Sequence, residues 1–405
     1  MNLKAGSIKG KIKNSLPCKE GLQTDYYHFG WEYFGPFLYG YTRWLYRSIR
    51  NIHADKVFFF SRDGFMMYHA FQIFNRANIN SKYVYFSRKS IRQALLWKCD
   101  SFAESLCYLT RERFITLGKI LEYYGFNTYE RECIANQYRL NLTQDYLYDT
   151  LGQNQNLQKL YGKLKPAIDE KSRLQDELLL AYLEQIHMSG DCAIVDIGWH
   201  GSMQYYLEEF FSRHNMDTRL YGFYVGIMPS VPLKGSVQGF LYSQDHPGLR
   251  KHVLCFFGGY EKLFQSMEGS VYGYEYQNHV VAPVLNQYEY EEEKELISHI
   301  REWQNGALDF VKEALSKKLQ LPEQDLAMPL VKFGMNPSIA GVKLFSFFYN
   351  TDGTKMYYVS QKKLFEYKPK ELIHALSNSV WKTGFMKSVF RFPLPYYYIY
   401  CLLRK

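Results

Sequence analysis

Two short segments of this chain bring together residue types that could do chemistry. Asp196-Ile197-Gly198-Trp199-His200-Gly201-Ser202 combines an acid, two glycines and a hydroxyl, and Ser61-Arg62-Asp63-Gly64 combines a guanidinium, an acid and a glycine. A glycine-containing loop that enters a helix presents backbone N–H groups to an anion, and the helix dipole favours negative charge there. Gly198 and Gly201 permit unusual backbone angles, Ser202 can cap the helix or donate to a phosphate, and Asp196 suits a sugar diol or a hydrated magnesium ion. The plain alternative is a tight turn with a buried Asp and an N-cap Ser. Arg62 offers a rigid donor fork that matches phosphate. Asp63 can hold magnesium, act as a base, or simply pair with Arg62. A third segment, Ser87-Arg88-Lys89-Ser90, adds two cations, although charges after a strand are ordinary.

Each segment follows an apolar run: Val57–Phe60, Tyr83–Phe86 and Ala193–Val195. Short apolar runs bounded by turn chemistry read as buried strands, and strands alternating with helices read as a parallel α/β sheet. Ligands of open α/β sheets bind beyond the carboxyl ends of the strands. The three turns therefore fall along one rim, which is the expected site.

The pattern predicts an α/β core over 25–94 and 191–285, a helical insertion over 95–190 and a C-terminal α+β extension over 286–405. Residues 1–24 read as a loose lead-in. Residues 26–50 read as a helix on the sheet, with Gly30, Gly35 and Gly40 allowing close approach. No convincing strand is expected in the insertion. Further strands are expected at 220–227 and 239–242, a helix at 249–268, a hairpin across Gln277-Asn278-His279, a charged helix over 288–318, and a few more strands within 340–368. The run Glu289, Glu291, Glu292 and Glu293 reads as a solvated face. Glu261 and Glu268 fall two turns apart on the helix expected at 249–268. Either could be a general base, with salt bridging the plainer role.

Of 405 residues, 47% are hydrophobic and 18% aromatic, enough for a sizeable core, and the net charge is +9. A positive balance suggests an anionic partner, but no basic arm, zinc finger or RNA-binding motif argues for nucleic acid. The seven cysteines have no CxxC spacing, which predicts free thiols in a reducing compartment. With no apolar leader and no spanning run, the expected location is the cytoplasm.

The stretches FFFSRDGFMMYHAF, YVYFSRKS and AIVDIGWHGSMQ, supported by WEYFGPFLYGYTRWL and YEKLFQSMEGSVYGYE, resemble the domain that follows a HAD-type phosphatase in proteins of bacterial capsule and O-antigen clusters. The resemblance spans most of residues 25–285. It implies a phosphoribosyltransferase-like, Rossmann-like fold in which an acid-ended strand and a following loop cradle the 5-phosphate of phosphoribosyl pyrophosphate. Asp196, Gly198, Trp199, His200, Gly201 and Ser202 occupy the comparable places, with the usual acid pair reduced to Asp196 followed by Ile197. The Ser61–Gly64 loop resembles the pyrophosphate loop. Related modules move ribofuranosyl 5-phosphate onto a glycan hydroxyl, after which the HAD phosphatase removes the phosphate; here that phosphatase would be a separate protein.

The leading expectation is thus a magnesium-dependent glycan phosphoribosyltransferase. Asp63 and Asp196 would hold the metal, and Asp63 or Glu261 would take the acceptor proton. Ser61, Arg62, Gly64, Arg88 and Lys89 would hold the pyrophosphate. The alternatives are a nucleotide-sugar glycosyltransferase and a non-catalytic assembly partner of polysaccharide enzymes. The reduced acid pair favours the last, and the retained Arg-Asp-Gly and Gly-x-x-Gly-Ser elements oppose it. The aromatic, basic tail near 390–405 is expected to pack on residues 26–46. Peripheral attachment to the inner face of a membrane carrying lipid-linked glycans is the second expectation for it.

Overall fold

The three apolar runs become neighbouring strands. In the computed structural model, which describes residues 5–18, 23–52, 54–351 and 355–403, β1 (Lys56–Phe60) lies between β2 (Ser81–Val84) and β3 (Gly190–Trp199), parallel to both. Phe59 stands opposite Tyr83 on one side and Val195 on the other. β4 (Thr218–Ile227) and β5 (Ser236–Tyr242) extend the sheet in parallel, so the order is β2-β1-β3-β4-β5. The α/β class expected from the sequence is present.

The strands read as continuous apolar runs because both faces of the sheet are covered. Val57, Phe59, Ala193, Val195 and Phe223 enter one core, and Phe58, Phe60, Cys192 and Ile194 enter the other. The first core is built with α1 (Gly35–Asn51), α2 (Gly64–Phe74), α6 (Phe257–Phe264), α7 (Lys294–Ser316) and α8 (Glu323–Met335). The second is built with α3 (Arg88–Leu95), α4 (Gln155–Ile186) and α5 (Ser202–Arg213).

Residues 25–51 are helical throughout, in the pieces Asp25–Phe29, Gly30–Phe34 and α1. Their glycines do permit close approach, but to the C-terminal extension and not to the sheet. A Cβ on Gly30 would stand 2.0 Å from the Trp303 carbonyl oxygen, and one on Gly40 would stand 2.7 Å from that of Glu323. The extension therefore shares the main core.

Other expectations are corrected in detail. The insertion is mostly helical, yet Phe114–Thr116 and Asp145–Leu147 pair as an antiparallel ladder. Strands that short fall below any readable period. Helix 249–268 divides into Arg250–Leu254 and α6, so Glu268 lies beyond the helix that carries Glu261. The charged helix begins at Lys294, leaving Glu289 outside it. The lead-in includes a helix, Ala5–Ser15, and residues 1–4 and 19–22 lie outside the described residues. Within 340–368 the strands are Tyr349–Thr351 and Lys355–Tyr357. The hairpin forms as β6 (Val271–Gln277) and β7 (Val280–Leu285), turning on Asn278 and His279, both with positive φ, the backbone a tight two-residue hairpin needs. None of the seven cysteines, all among the described residues, forms a disulfide. No helix among the described residues is long and apolar enough to cross a membrane.

Candidate functional site

From β1 the chain runs to β2 at one edge and then returns to the other side of β1 to form β3. The strand order thus reverses between β1 and β3, and a crevice opens beyond their carboxyl ends, where ligands of such sheets bind. A cavity of about 430 Å3 lies here, within the range of small-molecule sites. Ser61, Arg62 and Asp63 line it from β1, Ser87 and Arg88 from β2, and Asp196 through Ser202 from β3.

The Asp196–Ser202 loop is shaped by backbone angles that favour glycine. Gly198 and Gly201 have φ of 103° and 71°, and a Cβ on Gly198 would stand 2.6 Å from the Gly226 carbonyl oxygen. Trp199 also has positive φ, a strained state for a bulky residue. Its indole Nε1 donates to Glu261 Oε1 at 2.9 Å. Gly201 takes the N-cap place of α5, so no side chain caps the helix. Ser202 is the first helical residue and not the cap. The first-turn N–H groups, which have no intrahelical partner, border the cavity.

Three carboxyls share this space. Burial pushes Asp63 well above the usual carboxylate range, and the charges of Glu261 and Asp196 push it further. Burial raises Asp196 to about 6 against the pull of the Ile197 and Gly198 backbone N–H groups and of Arg88. Burial raises Glu261 too, opposed by the Trp199 hydrogen bond and by Arg88. Arg88 is exposed at the rim, and no side-chain hydrogen bond or ion pair among the described residues ties it down. Burial lowers the His200 imidazole below its ordinary value, helped by Arg250 and Arg88.

A comparison with protein-family models finds no match, and a comparison with curated proteins finds none either.

The rim is reassigned at several expected positions. Arg62 reaches the cavity, but its fork is occupied. One terminal nitrogen donates to Glu289 Oε2 at 2.6 Å and to the Glu268 carbonyl at 3.1 Å, and the other donates to Gln265 Oε1 at 3.1 Å. Arg62 is therefore a clamp between loop and extension, not an open phosphate fork. Lys89 pairs with Glu122 of the insertion at 3.2 Å and does not line the cavity. Gly64 does not line it either; a Cβ there would stand 3.0 Å from the backbone of Phe59, so its role is helix-to-strand packing. Ser61 donates to the Phe86 carbonyl at 3.3 Å. Glu268 accepts from Tyr83 at 2.8 Å and Ser266 at 2.8 Å in place of a salt bridge.

Glu289, expected on a solvated face, is 8% exposed and also binds Lys262, itself 1% exposed, at 2.7 Å. The two cations outweigh burial and hold Glu289 down at about 2, while burial lowers Lys262 to about 8. Gln265, Asn350 and Thr351 also line the cavity. No local period marks these positions, because they arrive from distant parts of the chain.

Among the described residues no group of three or more His, Cys, Asp or Glu is placed to hold a metal ion. Asp63 and Asp196 both line the cavity, and magnesium commonly binds through one or two carboxylates together with substrate phosphates. Asp63 and Asp196 are close enough for the charge of Asp196 to raise Asp63, a repulsion that a divalent cation held between them would relieve.

Proposed function

We propose that this chain is a phosphoribosyltransferase-type glycosyltransferase of surface-polysaccharide synthesis. It would move ribofuranosyl 5-phosphate from phosphoribosyl pyrophosphate onto a glycan hydroxyl, with a lipid-linked acceptor and a separate HAD-type phosphatase as partners. One observation carries the reading. At the strand-order reversal, an uncapped glycine-opened helix start shares one cavity with an untethered guanidinium and three buried carboxyls. That combination suits a sugar bearing several phosphates and bound with a cation. In this reading the sheet is a phosphoribosyltransferase-like one.

The first-turn amides of α5 and the Ser202 hydroxyl hold the 5-phosphate. Arg88 faces the pyrophosphate and stabilises the charge it gathers on leaving. Asp63 and Asp196 would hold magnesium, which when bound neutralises pyrophosphate charge. Glu261, oriented by the Trp199 indole, takes the proton of the acceptor hydroxyl. The acceptor oxygen forms the new bond to the anomeric carbon as the bond to pyrophosphate breaks on the opposite face, giving a β-ribofuranoside.

A second reading, a non-catalytic assembly partner, draws on the engagement of Arg62 and Lys89 by protein carboxylates. Ligand-dependent melting separates the two. Phosphoribosyl pyrophosphate with magnesium, at about 100 times its dissociation constant, stabilises the protein by roughly 2.7 kcal/mol, and ribose 5-phosphate does so less. A shift with a uridine-diphosphate sugar alone would overturn the proposal in favour of a nucleotide-sugar enzyme. No shift with either would support the non-catalytic reading.

A further inference from the structure

The tail packs by one face and leaves the other bare. In helix Tyr396–Leu403, Tyr396 and Tyr400 are buried, at 1% and 3% exposure, whereas Tyr398 and Leu402 are 71% and 66% exposed. Residues four apart share a helix face, so the two pairs mark opposite sides. The turn before the helix adds Phe392 and Leu394, 67% and 43% exposed. The buried side joins the main core, with Tyr397 stacked on His252 at 5.0 Å. It packs on the helix Lys382–Phe390 and on His252 of the helix Arg250–Leu254, in place of the expected face of residues 26–46.

Charge says what covers the bare side. After Glu371 the chain has no acidic residue, but it has Lys382, Lys387, Arg391, Arg404 and Lys405. The packed helix adds Arg250 and Lys251. A second copy of this chain would oppose the same cations, and like charges disfavour that pairing.

We propose that segment 391–402 seats the protein on an anionic lipid surface. Phe392, Leu394 and Leu402 enter the headgroup–acyl boundary, and Tyr398 lies at the interface, where its ring and hydroxyl are both satisfied. Arg391 and Lys251, both exposed, bind the anionic headgroups. The attachment is peripheral, since no helix among the described residues can span a bilayer. The proposal does not depend on the reaction assigned above.

Flotation of the full chain with vesicles tests it. The protein floats with mixed phosphatidylglycerol–phosphatidylcholine vesicles, stays behind with phosphatidylcholine alone, and is released by high salt. The double variant Tyr398→Asp with Leu402→Asp, altered only at exposed positions, floats at least about tenfold less with an unchanged melting temperature. Tyr398→Trp retains binding. Absence of flotation by the parent protein, or equal flotation by the double variant, would overturn the proposal. So would a parent protein that is dimeric in solution and becomes monomeric in the double variant, which would assign the face to self-association.

Discussion

Asp196→Asn is expected to lower magnesium-dependent turnover of phosphoribosyl pyrophosphate by roughly 10²- to 10³-fold, the scale of losing one preorganised electrostatic contact, and at the same time to stabilise the fold at neutral pH. The second half follows from the direction of its pKa shift. The folded protein raises Asp196 from 3.8 to about 6, so it binds this proton more tightly than the unfolded chain does. Stability from the protonated form is fully present below about pH 4 and is lost as pH rises through about 6. At pH 7 the ionised carboxylate is a cost, and the isosteric amide removes it. The gain falls within the roughly 0.5–2 kcal/mol usual for stabilising substitutions. Melting curves should show the variant above the parent protein at pH 7 and level with it near pH 4. Turnover of the parent protein should rise across the window in which its stability falls. A variant less stable at pH 7, or one with unimpaired turnover, would contradict the role given to this carboxyl.

Glu289→Ala should cost about 3–5 kcal/mol, the scale of breaking a buried ion pair. Glu289 is the shared partner of Arg62 and Lys262, at 2.6 and 2.7 Å, and its removal leaves two buried cations side by side. The carboxylate also joins the extension to the Arg62–Asp63 loop, so donor affinity should fall along with stability. Because Glu289 is depressed from 4.5 to about 2, its contribution is present above about pH 4.5 and is lost as pH falls toward 2. Denaturant unfolding at pH 7 and pH 3 checks both the size and the sign: the difference between parent and variant should be larger at pH 7. Equal stability of the two proteins at pH 7 would remove Glu289 as the clamp.

Strands and turns were legible because their cause is local. Val57–Phe60 and Ala193–Val195 are apolar at every position since both sheet faces are buried, and the following polar turns are where a strand must yield to a helix. Asp63, Asp196 and the Gly198–Ser202 loop could therefore be placed on one rim from order alone. Glu261 also reaches that rim, though on a shorter helix than expected. Partnership was not legible. Arg62 looks the same in sequence whether its fork meets a phosphate or Glu289, and the pairing spans a large part of the chain. Glu289 itself sits in an acidic run in which Glu291 and Glu292 are exposed. Gly30 and Gly40 announced close contact without saying that Trp303 and Glu323 would supply it. Of the expected cations, Arg88 alone keeps an open fork at the cavity, because Lys89, one residue on, belongs to a different helix face and meets Glu122.

The most direct measurement of the central claim is calorimetric titration of the full chain with phosphoribosyl pyrophosphate at neutral pH, with and without magnesium. Binding at one site is expected, tightened at least about tenfold by magnesium and weakened about tenfold in Arg88→Ala, the scale of a charge-assisted hydrogen bond. No heat of binding with this donor under either condition, alongside saturable binding of a uridine-diphosphate sugar, would contradict the account.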